Sequence, residues 1–319
     1  DTPLIAQRVL DLWLEAGLPK NIVQLVFANS HDLGDILFKH ELLAGVVFTG
    51  STATAQHINQ TLAARQGAII PLIAETGGLN AMIADSSALP EQLAQDVMVS
   101  AFNSAGQRCS ALRILWLQED IAPAVLERLK GMLATWHIGH SQHLQSDVSA
   151  VINARSQQHL HYYCQQLQPH ALWHAHATLS AECSKGYYVA PQAFLVEPAN
   201  LPQHEVFGPI LHIATWQHHQ LHEIIQHINK TGYGLTLGVH SRIESHIKQI
   251  QLQARVGNLY INRNQIGAQV ACQPFGGEGL SGTGFKAGGQ HYLLRFCTER
   301  VSTQNLTVLG ANTELLFLD

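Results

Sequence analysis

An α/β fold organised on a parallel sheet is predicted for this chain, and two observations predict it. Strand-sized apolar runs alternate with longer stretches of helical periodicity, the rhythm that lays parallel strands side by side with helices as crossovers. No repeat with a period of roughly 20–50 residues interrupts that rhythm, which sets aside solenoids and propellers.

The first element is a helix with both ends marked. Thr2 is a candidate cap, Pro3 suits the first turn, and Gly17 with Pro19 stops it. Leu4, Val9, Leu10, Leu12, Trp13 and Leu14 give it a broad apolar face. "NIVQLVF", "AGVVFTG" and "AIIPLIAE" then read as strands, with "STATAQHINQTLAARQ" as the helix joining the last two. In "NAMIADSSALPEQLAQDVMVSAF" a strand, a loop at Asp85-Ser86-Ser87 and a helix from Pro90 follow in turn. "SALRILWL" and "LTLGVHS" add further strands. The most glycine-dense run, "QPFGGEGLSGTGFKAGG" from Gln273 to Gly289, reads as loop. The last stretch, "RVSTQNLTVLG", alternates as an edge strand or a projecting β segment does.

At 319 residues the chain has room for two ordinary domains. Its apolar runs, such as Ala44 to Phe48, fall far short of the ~20 residues a membrane helix needs. A net charge of −5 without any basic run argues against nucleic acid and anionic membrane surfaces as partners. The five cysteines are odd in number, scattered and free of any CxxC pair, so they support neither a disulfide framework nor a zinc ribbon. They read as reduced, cytosolic thiols. No signal peptide opens the chain, which begins at Asp1-Thr2-Pro3 without methionine and reads as starting inside a larger protein. Twenty histidines, some in "HLHYYC" and "HAH", invite a metal argument. Without an HExxH or a Cys/His quartet they read instead as polar surface, and no metal is expected.

Three stretches carry candidate chemistry. "FTGSTATAQ" is a strand end, a Gly50-Ser51 turn and a helix start. Free backbone N–H groups there suit a phosphate, although a plain capped helix would look the same. "AETGGLNAM" puts Glu75 at the end of an apolar strand, where burial would raise its pKa and make it a usable general base. Taken alone, the segment reads rather as a strand-end surface acid. "NSAGQRCSALR" sets Cys109 among small polar neighbours. A lone cysteine is ordinarily a small buried hydrophobe. Here it also suits a reactive thiol, with amides of a following helix holding both thiolate and oxyanion.

In order along the chain, Glu75-Thr76-Gly77-Gly78, Gly106-Gln107-Arg108-Cys109, Glu205-Val206-Phe207-Gly208-Pro209 and Pro274-Phe275-Gly276-Gly277 resemble the aldehyde dehydrogenase superfamily over essentially the whole length. "GNLYINRNQIGAQVACQPFGGEGLSGTGFKAGG", "ETGGLNAMIADSSALPEQ" and "GQRCSALR" are similar to its 1-pyrroline-5-carboxylate (glutamate semialdehyde) dehydrogenase branch, especially the dehydrogenase part of bacterial proline utilization A. The fold this resemblance implies is a partial Rossmann-like cofactor domain plus the α/β catalytic domain of the aldehyde dehydrogenase fold. Residues 1–76 would be the end of the NAD-binding domain, 77–290 the catalytic domain, and 291–319 a return segment with a β-like tail for oligomerisation.

The activity implied is NAD-dependent oxidation of L-glutamate γ-semialdehyde to L-glutamate in proline catabolism, in the cytoplasm. Cys109 would attack the aldehyde as a thiolate, and Glu75 would activate the water that hydrolyses the resulting thioester. Gly50 and Ser51 would hold the cofactor pyrophosphate, Glu205 the nicotinamide ribose, and Phe207 would pack beside the nicotinamide. Ser110, Gly267 and Ala268 would anchor the substrate α-carboxylate, Phe275 would line its aliphatic part, and Arg108 would fix the loop through salt bridges. Ala271-Cys272 and Phe285 depart from the branch's usual residues and alter loop detail.

The resemblance further implies a homo-oligomer and a possible proline dehydrogenase domain in the same parent chain. It places a lysine and a glutamate for the adenosine ribose, and an oxyanion-hole asparagine, upstream of Asp1. Since losing one such donor costs ~10²–10³ in rate, these 319 residues alone are expected to show little or no dehydrogenase activity. The alternatives are another acid-semialdehyde dehydrogenase, or a non-catalytic cofactor-binding or assembly module.

Overall fold

Strands buried on both faces need uninterrupted apolar sequence, and this chain supplies it twice. Strands β3 (Ala81–Ala84) and β4 (Ile114–Gln118) have every residue buried. In the computed structural model, which describes residues 2–28, 34 and 36–305, they lie parallel at the middle of a seven-stranded sheet. The neighbours are β5 (Ala171–His176), β6 (Gln192–Val196), β7 (Ile210–Trp216), β9 (Thr236–His240) and β10 (Asn258–Ile261), while the short β8 (Tyr233–Gly234) lies outside this sheet. The order across the sheet is β10-β9-β3-β4-β7-β6-β5. All pairings are parallel except β5 with β6 at one edge. That antiparallel edge strand leaves Leu172 exposed and carries the histidines of "HAH", the polar dressing that edge strands tolerate.

Helix α3 (Pro90–Phe102) begins with proline at its first position, where the missing N–H is no loss. It buries Leu93, Val97, Met98 and Phe102 against the sheet and packs on α4 (Ala122–Thr135). Asp85 accepts from the backbone of Ser87 (2.9 Å) and closes the loop before α3. Further on, α5 (Ala154–Leu167), α6 (Leu221–Lys230) and α7 (Glu244–Gln253) turn Leu160, Ile224, Ile228 and Ile250 into the same core.

Ahead of this sheet stands a smaller parallel pair, β1 (Val46–Gly50) and β2 (Leu72–Thr76), joined by α2 (Thr52–Ala63). Pro71 precedes β2, and its carbonyl accepts from Val46 at the start of the ladder. Residues 68–71 of the predicted strand stay outside it, with Ile69 exposed. The Rossmann-like alternation and the α/β class are as the sequence predicts.

The first helix, α1 (Pro3–Glu15), forms where predicted and ends on Gly17 at φ 98°, with the Leu18 N–H reaching Trp13 O (3.0 Å). Thr2 does not cap it: its backbone (φ −123°, ψ 50°) lies off the extended geometry of a cap, and its side chain makes no capping bond. The predicted apolar face is present but not buried: Leu4, Val9, Leu12 and Trp13 are exposed and Leu10 and Leu14 are half-buried. "NIVQLVF" forms no strand, since no described strand offers it a ladder. "RVSTQNLTVLG" is irregular through residue 305, and its remainder, with residues 306–319 of the predicted tail, lies outside the described residues.

The burial contrast predicts two stabilities. Leu115→Ala, in the middle of β4, should cost ~2–5 kcal/mol in chemical denaturation. Leu4→Ala, on the exposed face of α1, should stay within ~0.5 kcal/mol of the parent.

Candidate active site

Cys109 sits in the turn that takes the chain from α3 back into β4. The turn begins with Ser104, Ala105 and Gly106 at φ 57°, 54° and 64°, three successive left-handed residues. Only glycine adopts that region freely, so packing must hold the other two there. A Cβ on Gly106 would overlap the Gly208 carbonyl, which makes glycine obligatory at this approach. The Ala111 N–H closes onto Arg108 O (3.0 Å) around Cys109 and Ser110, and β4 follows. No helix follows Cys109, contrary to expectation. The short path from α3 to a buried strand leaves room for a turn alone, so nearby amides come from that turn.

Two side chains absent from the predictions hold the turn. Asn80 donates through Nδ2 to Cys109 O (2.6 Å) and Ala111 O (2.9 Å), while its Oδ1 accepts from Thr236 N (3.2 Å). Arg113 has no exposed surface. It donates to Gly106 O (2.7 Å), Gly208 O (3.2 Å), Arg108 O (3.1 Å) and Glu205 Oε1 (2.9 Å), and stands 5.3 Å from the centre of the Phe207 ring. Neither has a sequence signature: an arginine beside a strand reads as surface, because few are buried. Arg108 donates to the Ser104 hydroxyl (3.0 Å) and not to a carboxylate, so hydrogen bonding takes the place of the expected salt bridge.

Glu75 lies within β2, one residue before its end. Its Oε2 accepts from the Gly277 N–H (2.9 Å), and its Oε1 is buried without a partner. Gly276 and Gly282 lie so close that a Cβ on either would stand 3.0 Å from a carboxylate oxygen. Burial raises the Glu75 pKa, outweighing the Gly277 bond and the nearby charges of Arg295 and Lys286. Burial likewise raises that of Glu205 against its Arg113 partner and the Gly78 amide.

Gly50, Ser51, Glu75, Cys109, Ser110, Glu205, Phe207, Gly267, Ala268 and Phe275 all border one cleft of about 1070 Å³. Ser51 caps α2, its hydroxyl accepting from the Thr54 N–H (3.2 Å). Thr52 and Ala53 in that first turn also border the cleft, with backbone donors no helical carbonyl can reach. Gly267 has φ 69° with open space where a Cβ would point. Phe275 is pinned by mutual backbone bonds with Ala287 (3.0 and 2.9 Å). Of the departures noted in sequence, Ala271 adopts φ 64°, and Phe285 packs 5.4 Å from the His291 ring. Among the described residues no group of three or more His, Cys, Asp or Glu gathers to hold a metal.

The thiol of Cys109 is pushed up by burial first, then by the Glu205 carboxylate and, more weakly, by Glu75; its own amide and that of Ser110 oppose the shift. Desolvation and the two acids thus outweigh the amides and disfavour the thiolate at this position.

Residues 1–302 match the sequence profile of the aldehyde dehydrogenase family. The chain is 46% identical over 307 residues to the bifunctional protein PutA of Escherichia coli (strain K12), covering 94% of this chain and 23% of that protein. Its fold superposes on a Bradyrhizobium japonicum proline utilization A with TM-score 0.89 and 49% identity, over 94% of this chain and 30% of the other. A 1-pyrroline-5-carboxylate dehydrogenase from Thermus, solved with bound NAD, superposes with TM-score 0.84 and 32% identity, over 92% of this chain and 57% of that one. The chain thus spans about a quarter of the first curated relatives it matches.

Two outcomes are expected. Labelling of Cys109 by iodoacetamide, followed by peptide mass spectrometry, should rise with pH to a midpoint above that of a free cysteine; a lower midpoint would contradict the electrostatics. Gly106→Ala should lower folding stability by at least ~1 kcal/mol from backbone strain alone, read by thermal denaturation.

Proposed function

The chain belongs to the aldehyde dehydrogenase family, and from that premise we propose that the full-length protein oxidises L-glutamate γ-semialdehyde, formed from 1-pyrroline-5-carboxylate, to L-glutamate with NAD. The observation that carries the reading is the meeting of a cysteine, a proton-accepting carboxylate and a helix N-terminus around one cleft. Its closest support in substrate comes from relatives named for 1-pyrroline-5-carboxylate and for proline utilization.

The cleft fits a dinucleotide. The orphan donors of Thr52 and Ala53, beside Gly50 and Ser51, suit its phosphates. Glu205 suits the nicotinamide ribose hydroxyls, and Phe207, 45% exposed, offers a ring face beside the nicotinamide. NAD, when bound, supplies the acceptor for a hydride leaving the substrate carbon.

Cys109 acts first. It gives up its proton to solvent water, its Sγ bonds to the aldehyde carbon, and the carbonyl π electrons move onto oxygen. The Cys109 N–H donates to that oxyanion. Loss of hydride from the tetrahedral carbon restores the carbonyl and leaves a thioester on Sγ. Glu75, whose carboxylate borders the cleft, then takes a proton from water, and the water oxygen attacks the thioester carbon. Sγ departs with the C–S electrons, and glutamate is released. A raised pKa suits Glu75 to accepting that proton near neutrality.

Ser110 and the backbone of Gly267 and Ala268 hold the substrate α-carboxylate, and Phe275 packs on its methylenes. Residues 1–76 serve as the end of the cofactor domain, 77–290 as the catalytic domain and 291–319 as an oligomerisation segment. A homo-oligomer in the cytoplasm, with a proline dehydrogenase domain in the same parent, completes the proposal.

The test uses the full-length protein with NAD and 1-pyrroline-5-carboxylate at neutral pH. The wild type should form NADH, and Cys109→Ala should abolish it; a wild type without NADH production would sink the function. Glu75→Gln should release one equivalent of NADH per site and then slow by ~10²–10⁴. Ser110→Ala should raise KM for this substrate about tenfold while leaving KM for an aldehyde without an α-carboxylate unchanged.

A further inference from the structure

We infer that Arg113 is a positioning residue for this reaction: its guanidinium ties the turn carrying Cys109 to the loop carrying Glu205 and Phe207, setting where thiol, carboxylate and ring stand around one bound molecule. The inference rests on the reading above for what is bound, and on geometry for the rest. Every partner of the guanidinium belongs to one of these two segments, Gly106 and Arg108 on one side, Glu205 and Gly208 on the other. The arginine is itself anchored. Its carbonyl accepts from the His212 backbone N–H (2.9 Å) and from His212 Nδ1 (3.0 Å). Because a carbonyl only accepts, Nδ1 carries the proton, and Nε2 is left to accept from the Tyr163 hydroxyl (2.7 Å). Burial holds His212 down to about 4, so this anchor keeps its neutral form through the working range.

A lysine could not replace these contacts. Its three donors radiate from one nitrogen, whereas two guanidinium nitrogens here meet three carbonyls and a carboxylate in a fixed plane. The same plane lies at the Phe207 ring. Electrostatics adds to the geometry. The charged groups facing Cys109 are Glu205 and Glu75, which oppose thiolate formation, and Arg113, which favours it; Arg108 and His204 border the same cleft. The pairing of Arg113 with Glu205 therefore balances two opposite influences on one sulfur.

The test compares full-length wild type, Arg113→Lys, Arg113→Met, Glu205→Gln and the Arg113→Met/Glu205→Gln double variant. Three quantities are read on the folded fraction: the pH midpoint of Cys109 alkylation, the affinity for NAD by fluorescence quenching, and KM against kcat. Losing the cation while the acid stays should move the alkylation midpoint up. Losing the acid alone should move it down, and the double variant should fall between. Arg113→Met should weaken NAD binding by at least about tenfold, as truncating one member of a buried charge pair does, with Arg113→Lys restoring only part of it. The double variant leaves no lone buried charge, so it remains informative if Arg113→Met does not fold.

An Arg113→Met protein, or the double variant in its place, that lowers only the melting temperature would overturn the inference. So would strictly additive effects of the two substitutions on the midpoint. Alkylation and NAD binding do not require the semialdehyde. A wild type that binds NAD and shows the alkylation shifts yet does not oxidise that substrate would refute the substrate reading and leave the positioning role standing.

Discussion

Arg113 carries a permanent positive charge at zero solvent exposure, and the candidate site is built around the partners of its two terminal nitrogens, the Nε being buried without one. Desolvating an ion costs several kcal/mol unless partners replace the lost water. Here the replacements are Glu205 and three main-chain carbonyls contributed by segments far apart in sequence. Because those carbonyls flank Cys109 and Phe207, the requirement to satisfy one buried charge becomes a requirement that two functional segments lie at a fixed separation. Asn80 does the same on a smaller scale, joining the Cys109 turn to the starts of β3 and β9.

The two carboxylates of the cleft divide by hydrogen-bonding capacity. Glu205 is fixed in place by Arg113 and the Gly78 amide, with carboxylate lone pairs left over for a ligand hydroxyl, which suits a group that binds. Glu75 has one oxygen held by Gly277 N–H and the other buried and unpartnered, which suits a group that takes a proton. An unsatisfied buried oxygen is costly in an ordinary interior. Here it belongs to a carboxylate that borders the cleft and whose pKa burial has raised.

Close approach explains where glycine is required. Gly106 admits the Gly208 carbonyl, Gly77 admits the Glu205 carboxylate, and Gly276 with Gly282 brackets Glu75. A Cβ at Gly106, Gly77 or Gly282 would enter space that another atom already occupies, and one at Gly276 would crowd the Glu75 carboxylate at 3.0 Å. The glycine-dense segment, read as loop, thus wraps back across the chain to build one wall around a carboxylate some 200 positions earlier, a separation of 202 for the Gly277–Glu75 bond.

Elements whose stability is local or wholly apolar were legible in the sequence. Pro90 marks the start of α3, the apolar runs of β3 and β4 mark strands buried on both faces, and Gly17 marks the end of α1. The ordered motifs around Glu75, Cys109, Glu205 and Phe275 marked one family and, with it, the residues that line one cleft. What depended on partners was not legible. Among the described residues the apolar face of α1 stays mostly uncovered and "NIVQLVF" stays irregular, since an amphipathic face or a strand is completed only by what packs on it. The helix expected after Cys109 gave way to a turn, and the upward push on the Cys109 pKa was not legible, because burial and the field of distant acids arise only when the chain closes. Residue type and spacing determined which groups could do chemistry; the tertiary structure decided their charge, because desolvation and long-range pairing such as Arg113 with Glu205 exist only in three dimensions.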